Sequence, residues 1–188
     1  MKIILASQSP RRRAILDGLG IQYEVIVPNC DEDTNKIKPE EIVMDLALQK
    51  AKNVASRSEN SATIIAADTI VYLEGKILGK PKDEDEAFEM LNKLQNNWHT
   101  VYTGVCIFKG KTEVKNYFEK ADVHMAAQSE KSIWEYIKTG DPMDKAGAYG
   151  VQDSTCNFVD QVKGEIETVI GLPIIRLKKV LAQNFVEC

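Results

Sequence analysis

The sequence predicts an α/β domain, because apolar runs typical of strands alternate along the chain with segments of helical periodicity. Residues 63–67, Thr-Ile-Ile-Ala-Ala, form a nearly continuous apolar run, as expected for a central strand. Residues 39–58 instead repeat their apolar side chains at helical spacing, which predicts a long helix with one buried face. Two further runs, 98–109 and 112–125, meet at Gly110-Lys111 and predict an antiparallel β-ribbon.

The remaining elements are predicted from cap and turn residues. An apolar run at 3–5 indicates the first strand, and Ser9, Pro10 and Gly20 are placed to cap, begin and end the helix that follows. Further along the chain we predict a strand at 23–27, helices beginning after Asp83 and Ser129, a strand at 158–162 and a last helix after Gly171-Leu172-Pro173. The 188 residues show no internal repeat or linker, so a single domain over 1–188 is expected.

Composition and charge exclude several classes of function. The formal net charge of -4 argues against a general nucleic-acid surface, and no apolar run is long enough to span a membrane. The four cysteines are scattered without a CxxC pair, which favours reduced thiols in the cytoplasm and argues against a zinc site. The only two histidines, His99 and His124, lie in predicted strands without a ligand-spaced partner, and we interpret both as structural. Any catalysis must therefore depend on carboxylates and lysines, with or without a hard metal ion.

The turn between the first strand and the first helix breaks a local rule. Arg11, Arg12 and Arg13 fall in the first helical turn, where the helix dipole is positive and each cation costs a few tenths to about 1 kcal/mol. One interpretation is that an anion compensates them, since helix amides, hydroxyls and guanidinium groups together suit a phosphate chain. The other is a solvated basic helix end. This stretch alone favours neither.

Asp68 is the strongest catalytic candidate in the chain. It directly follows the apolar run at 63–67, and the carboxyl ends of strands are where ligands bind in open α/β sheets. A carboxylate in such a place is rarely left buried without a partner or a role, although a turn-forming aspartate is the alternative. Lys50 lies beside the apolar stripe of the long helix and either snorkels to solvent, the favoured interpretation, or faces a pocket.

Two loops carry weaker signals of ligand binding. Gly79-Lys80-Pro81 combines a glycine, which allows close backbone approach, with a point charge suited to phosphate. Residues 141–152 form a loop rich in small residues with charged and amide groups at its ends, as loops that carry function often do. The acidic loop at 29–33, which contains Glu32, is by itself typical of a solvated charge run.

These stretches together resemble one family, the Maf proteins, which are house-cleaning nucleoside triphosphate pyrophosphatases. The resemblance extends nearly end to end and rests on motifs in the family's order: Ala6-Ser7-Gln8-Ser9-Pro10-Arg11-Arg12, Ala67-Asp68-Thr69, Gly79-Lys80-Pro81, Asp144-Lys145-Ala146-Gly147-Ala148-Tyr149-Gly150 and Gly171-Leu172-Pro173. The subgroup that hydrolyses dTTP and UTP is the more similar one. Asp153 is a departure, because the family usually has glycine at that position.

The resemblance implies a fold, a reaction and a set of site residues. The fold is a long twisted mixed sheet flanked by helices, with two lobes around a central cleft, as in inosine triphosphate pyrophosphatase, and is often dimeric. Asp68 would be the catalytic base, and Glu32 with Asp68 would hold a divalent cation, Mg²⁺ first and Mn²⁺ as the alternative. The residues implied to bind substrate are Ser7, Arg11, Arg12, Lys50, Thr69, Lys80 and Gln152. Among these, Arg11, Thr69 and Gln152 set the preference for pyrimidine bases.

Two alternatives to a dTTP and UTP pyrophosphatase stay open from the sequence. One is hydrolysis of 7-methyl-GTP or another modified nucleotide, although that subgroup lacks the Ala-Gly-Ala-Tyr-Gly stretch. The other is a nucleotide-sensing regulator of cell division without catalysis, which leaves Asp68 and Glu32 without a chemical task. In each case the expected partner is a nucleoside triphosphate, with neither nucleic acid nor membrane, and a homodimer is the expected assembly.

Overall fold

The computed structural model describes residues 2–153 and 158–185. Within them, seven strands form: β1 (Ile3–Ala6), β2 (Glu24–Val25), β3 (Thr63–Leu73), β4 (Lys76–Leu78), β5 (Asn97–Lys109), β6 (Thr112–Met125) and β7 (Val159–Lys163). The helices in the same residues are α1 (Pro10–Gly18), α2 (Pro39–Ser56), α3 (Glu84–Leu94), α4 (Glu130–Ile137), α5 (Ile166–Ile170) and α6 (Ile174–Phe185). Two short 3₁₀ turns, Asp141–Asp144 and Ala146–Ala148, separate α4 from β7. None of the helices in the described ranges combines the length and apolar composition needed to cross a membrane.

The strands form one mixed sheet in the order β2-β1-β3-β5-β6-β7, with β4 beside β3. β1 runs parallel to both β2 and β3, whereas β3 with β4 and β6 with β7 are antiparallel pairs. The predicted α/β class with a mixed sheet and helices is therefore confirmed. The predicted β-ribbon is also present, as β5 and β6, which are hydrogen-bonded neighbours joined at Gly110-Lys111.

The chain divides into two compact units. The first comprises Met1–Asp68, Thr103–Glu119 and Gly171–Cys188, and the second comprises Thr69–Tyr102 and Lys120–Ile170. In the first unit, β1 is buried on both faces, because its side chains alternate between two apolar clusters. Ile3 and Leu5 pack with side chains of α1 and α6, while Ile4 and Ala6 pack with the small residues of α2.

Gly104 of β5 fixes how closely the strand approaches α2 within the first unit. A side-chain carbon at this position would lie 2.2 Å from the backbone carbonyl oxygen of Val43. Because a backbone atom cannot be displaced cheaply there, only glycine fits. The apolar face predicted for α2 is correspondingly buried, from Val43 through Leu46, Ala47 and Ala51 to Val54.

The second unit is built on α3 and α4. Their apolar residues form one core with residues of the sheet, and the rings of Phe88 and Trp134 stack with centroids 4.8 Å apart. Asp83 caps α3 as predicted, accepting the Glu86 N–H at 2.8 Å, and Ser129 caps α4. The short helix α5 was not predicted, and β2 is shorter than the predicted strand at 23–27.

Candidate active site

Hydrogen bonds of the Ser7 and Arg12 side chains stabilise the turn between β1 and α1. Ser7 is buried, and its hydroxyl oxygen accepts the Ser9 N–H at 3.1 Å and an Arg12 Nη1 hydrogen at 3.2 Å. Arg12 Nε also donates to the carbonyl oxygen of Gly171 at 2.8 Å. Gly171 has φ +118°, a backbone conformation that residues other than glycine rarely adopt. For Arg12, the interpretation of a solvated basic helix end is therefore wrong.

Asp68 lies inside β3 and not at its end. The strand continues from Thr63 to Leu73 through Asp68 and Thr69, so the prediction that the strand ends at 67 was wrong. Asp68 is only 7% exposed, and its Oδ1 lies 2.6 Å from the Nζ of Lys50 on α2. The buried carboxylate is tolerated within the strand because this ammonium group neutralises it.

Lys50 does not snorkel to solvent, contrary to the interpretation favoured from its sequence. It is 7% exposed and faces the interior of the first unit, where Glu32 from the acidic loop also lies 2.9 Å from its Nζ. The snorkelling interpretation fails because a helical pattern does not reveal a carboxylate on a strand that is distant in sequence. The Glu32 side chain stays 56% exposed, so the ammonium joins one buried and one largely solvated carboxylate.

The positive charge of Arg12 acts on the same group of carboxylates. Burial lowers the pKa of the Arg12 guanidinium, and the charges of Asp68 and Glu32 oppose that shift. A guanidinium stays charged at any physiological pH. The first unit therefore collects two cations, a hydroxyl and two carboxylates, from Arg12, Lys50, Ser7, Glu32 and Asp68. Such a set can neutralise phosphate oxygens and offer a carboxylate as a proton acceptor.

Glu32 and Asp68, the two residues predicted to hold a metal ion, both supply carboxylate oxygens beside Lys50. In the ranges 2–153 and 158–185, no group of three or more histidine, cysteine, aspartate or glutamate side chains is placed to hold a metal ion. Mg²⁺, however, is usually bound by only one or two carboxylates together with water and substrate phosphates. Two carboxylates that already converge on one ammonium group fit that mode, and they do not form a protein-only cage.

The other predicted substrate residues lie elsewhere in the chain. Arg11 is half-buried in the first turn of α1, and Thr69 follows Asp68 along β3. Lys80 and Gln152 are exposed and belong to the second unit. Within that unit the Gly147 N–H donates to the Gly79 carbonyl oxygen at 2.9 Å, which joins the segment carrying Lys80 to the segment leading to Gln152.

Two buried residues of the second unit were not predicted to contribute to a site. The hydroxyl of Tyr136 contacts Asp153, and Lys145 forms an ion pair with the same carboxylate. Tyr136 follows Ile133 by one helical turn on α4, so the helical spacing of the apolar residues could have placed it on the buried face.

Both histidines have structural partners. His99 is buried, and its Nε2 lies 2.6 Å from the Tyr149 hydroxyl oxygen. Burial lowers the pKa of His99 to about 4, with the charge of His124 acting in the same direction, so the ring is neutral at physiological pH. His124 Nδ1 lies 2.7 Å from Asp160 on β7.

Comparisons with known proteins agree on one family. The sequence model of the family described as Maf-like protein matches residues 2–184. A dTTP/UTP pyrophosphatase of Thermoanaerobacter sp. (strain X514) is 45% identical over 98% of this chain and 97% of its own length. The dTTP/UTP pyrophosphatase of Caldicellulosiruptor bescii is 46% identical over 96% of this chain and 93% of its own.

Fold similarity extends to a more distant protein. The structure of the Staphylococcus aureus Ham1 protein superposes with a TM-score of 0.55 at 17% identity, covering 97% of this chain and 99% of that one. At this identity the similarity concerns the fold alone. The match over residues 2–184, together with relatives at 45–46% identity over nearly their whole length, shows that this chain belongs to the Maf family.

Proposed function

We propose that this chain is a house-cleaning enzyme that hydrolyses dTTP and UTP to the nucleoside monophosphate and pyrophosphate. Relatives that share 45–46% of their residues with it are named dTTP/UTP pyrophosphatases. The observation that carries the proposal is the contact between Asp68 and Lys50 at 2.6 Å, on the interior of the first unit. Asp68 is a carboxylate that can accept a proton, and Lys50 is a cation that can bind a phosphate group.

The reaction requires water to attack the α-phosphorus while pyrophosphate leaves. Catalysis of this kind is mostly positioning and charge stabilisation. Asp68 orients the water and accepts its proton. Lys50 and Arg12 neutralise phosphate oxygens, with Ser7 donating a hydrogen bond. Lys80, which is exposed in the second unit, contributes a further positive charge to the triphosphate.

Glu32 and Asp68 would hold a divalent cation, Mg²⁺ by preference and Mn²⁺ as the alternative. When bound, the ion would supply positive charge to the phosphate oxygens. Purified protein stripped with a chelator should lose pyrophosphate release and regain it on addition of MgCl₂. Undiminished activity after chelation, or activity restored only by zinc, would contradict the assignment.

Arg11, Thr69 and Gln152 are proposed to select the base. A glutamine amide presents one acceptor and a donor group, which matches the N3–H and O4 of uracil or thymine. Cytosine presents its donor and acceptor differently, so an oriented amide should discriminate against CTP. A site built to hydrogen-bond its substrate rejects a mismatched analogue strongly, because its buried groups are left unpaired. Gln152→Ala should reduce the contrast between UTP and CTP.

The central test is Asp68→Asn, assayed as pyrophosphate release from UTP and dTTP. Loss of a general base should lower kcat by about 10² to 10⁴, while the thermal midpoint stays close to that of the parent. Asp17→Asn is the matched control, since Asp17 is exposed at the end of α1, where its carboxylate accepts the Tyr23 hydroxyl at 2.9 Å. Retained turnover in Asp68→Asn would overturn the proposal.

A panel of nucleotides separates this activity from its alternatives. A clear preference for 7-methyl-GTP would change the substrate and keep the reaction, whereas no pyrophosphate from any nucleotide would favour a sensing role.

We also propose that the protein works in the cytoplasm as a homodimer. The free thiols of Cys30 and Cys106 fit a reducing compartment, while Cys156 and Cys188 lie outside the described residues. Fractionation and sedimentation velocity would test the two statements.

A further inference from the structure

Gln152 sits at the tip of a closed turn. The Asp153 N–H donates to the carbonyl oxygen of Gly150 at 3.2 Å, which makes Gly150 to Asp153 a four-residue turn with Val151 and Gln152 at its centre. Gln152 is exposed, while the residues that close the turn are partly buried. The direction of the Gln152 side chain therefore depends on what holds the two ends of the turn.

The hydroxyl group of Tyr136 contacts both ends. Tyr136 lies on α4 with 1% exposure, and its oxygen accepts the Gly150 N–H at 3.2 Å. The same hydroxyl donates to Asp153 Oδ2. Burial raises the pKa of Tyr136, and the hydrogen bond to Asp153 raises it further, so the hydroxyl keeps its proton at physiological pH. One buried group thus links the turn to the core of the second unit.

Lys145 holds the Asp153 carboxylate from a second side. Its Nζ lies 3.6 Å from Asp153 Oδ2 and 3.1 Å from Asp144, and it also donates to the carbonyl oxygen of Asp141. The side chains of Lys145 and Asp153 are only 10% and 17% exposed, so water screens this pair weakly. The carboxylate is therefore fixed by a hydroxyl and an ammonium group together.

The carboxylate packs directly on the backbone of the turn. A side-chain carbon added to Gly150 would lie 2.6 Å from each oxygen of Asp153. Asp153 therefore points back into its own turn, toward Gly150, and is not directed outward beside Gln152. An ion pair with Lys145 and a hydrogen bond from Tyr136 stabilise its negative charge.

We infer that Asp153, held by Tyr136 and Lys145, is a positioning residue that orients Gln152 toward the pyrimidine base. The inference rests on the proposed function, because it names what fixes the specificity residue of that reaction. None of the three residues needs to touch the nucleotide. They act by restricting the turn, so their loss should affect the choice of base more than the chemical step.

The test compares kcat and KM for UTP and CTP in the parent and in Tyr136→Phe, which keeps the ring and removes the hydroxyl. We expect the UTP-to-CTP ratio of kcat/KM to fall roughly tenfold, the effect of losing a hydrogen bond to a charged group. The change should appear mainly as a higher KM for UTP, with kcat nearly unchanged. Glu135→Gln is the control, since Glu135 is exposed on the same helix and pairs with the solvent-facing Lys131 at 3.8 Å.

Asp153→Asn gives a second, independent variant. Asparagine keeps an oxygen for the Tyr136 hydroxyl and loses the charge that Lys145 binds, so its ratio should fall between those of the parent and Tyr136→Phe. It also keeps the test open if Tyr136→Phe does not fold. An unchanged ratio in a folded Tyr136→Phe, or in Asp153→Asn where that is the only folded variant, would overturn the positioning role while UTP hydrolysis by the parent stands. If the parent hydrolyses neither nucleotide, the proposed function fails and the positioning role fails with it.

Discussion

Replacing Lys50 with methionine tests the energetics of the central contact. The side chains of Lys50 and Asp68 are 9% and 10% exposed and their charged atoms lie 2.6 Å apart. Methionine fills similar space without a charge, so the variant leaves Asp68 buried without the ammonium group that contacts it. Breaking a buried pair by removing one partner costs about 3–5 kcal/mol. We expect the free energy of unfolding of Lys50→Met to fall by about that amount.

The second carboxylate on Lys50 provides a matched comparison. The Glu32 side chain is 56% exposed, and an ion pair in that environment contributes about 0–1 kcal/mol. Glu32→Gln should therefore change the free energy of unfolding by less than about 1 kcal/mol. The double variant Lys50→Met/Asp68→Asn should recover most of the loss, because no buried charge remains unpaired.

Urea denaturation at pH 7, followed by circular dichroism, measures all four proteins under one condition. A Lys50→Met variant within 1 kcal/mol of the parent would refute the assignment of a buried ion pair. A Glu32→Gln variant that is destabilised as strongly as Lys50→Met would also refute it, because the exposed Glu32 would then contribute as much stability as the buried ion pair.

The remaining predictions concern other parts of the chain. Arg12→Ala should lower stability by about 1.5–3 kcal/mol, the value of a hydrogen bond to a charged group, because it releases the Gly171 carbonyl, as well as weakening triphosphate turnover. Lys80→Ala, at an exposed position, should weaken turnover with a stability change within about 0.5 kcal/mol, and equal kinetics in both variants and the parent would contradict the assigned phosphate contacts. Burial lowers the pKa of His99 to about 4 from 6.5, so the unfolded chain binds the proton more readily between these values, and stability should fall as pH drops through this window. The loss of stability that His99 causes on acidification is about 3 kcal/mol in full. This contribution should be absent in His99→Gln when the urea midpoints at pH 7 and pH 4 are compared. Gly104→Ala should cost about 1–3 kcal/mol or more because of the close Val43 carbonyl, whereas Gly18→Ala, with no atom within 4 Å, should fold like the parent in thermal melts.

Elements with local signals were predicted well from the sequence. The β-ribbon was predicted at 98–109 and 112–125 and is found at Asn97–Lys109 and Thr112–Met125. Its turn is local, with Gly110 at φ +60°, and its two strands are long, at 13 and 14 residues. Helix α3 was predicted for the same reason, since Asp83 and Glu86 are three residues apart and need no distant partner.

The contacts that define the site depend on residues that are distant in sequence. Lys50 and Asp68 are 18 residues apart and come from a helix and a strand, and Arg12 reaches a carbonyl 159 residues away. The resemblance to the family implied a role for these residues, but periodicity could not predict that Lys50 is buried or that Asp68 lies within a continuous strand. Both follow from the pairing of two charges, each of which alone would disfavour burial. A pattern that scores residues singly assigns each of them to the surface.

Lys50 connects the stability of the free protein with the proposed reaction. In the free chain its ammonium group neutralises Asp68, and in the proposed reaction phosphate oxygens compete for the same ammonium group while Asp68 takes a proton from water. Lys50→Met should therefore lose stability and turnover together. Asp68→Asn should lose turnover alone, because the amide oxygen still accepts a hydrogen bond from Lys50 and Glu32 still pairs with it. If the contact between Lys50 and Asp68 served only the fold, both variants would lose stability. If it served only catalysis, both would keep the stability of the parent.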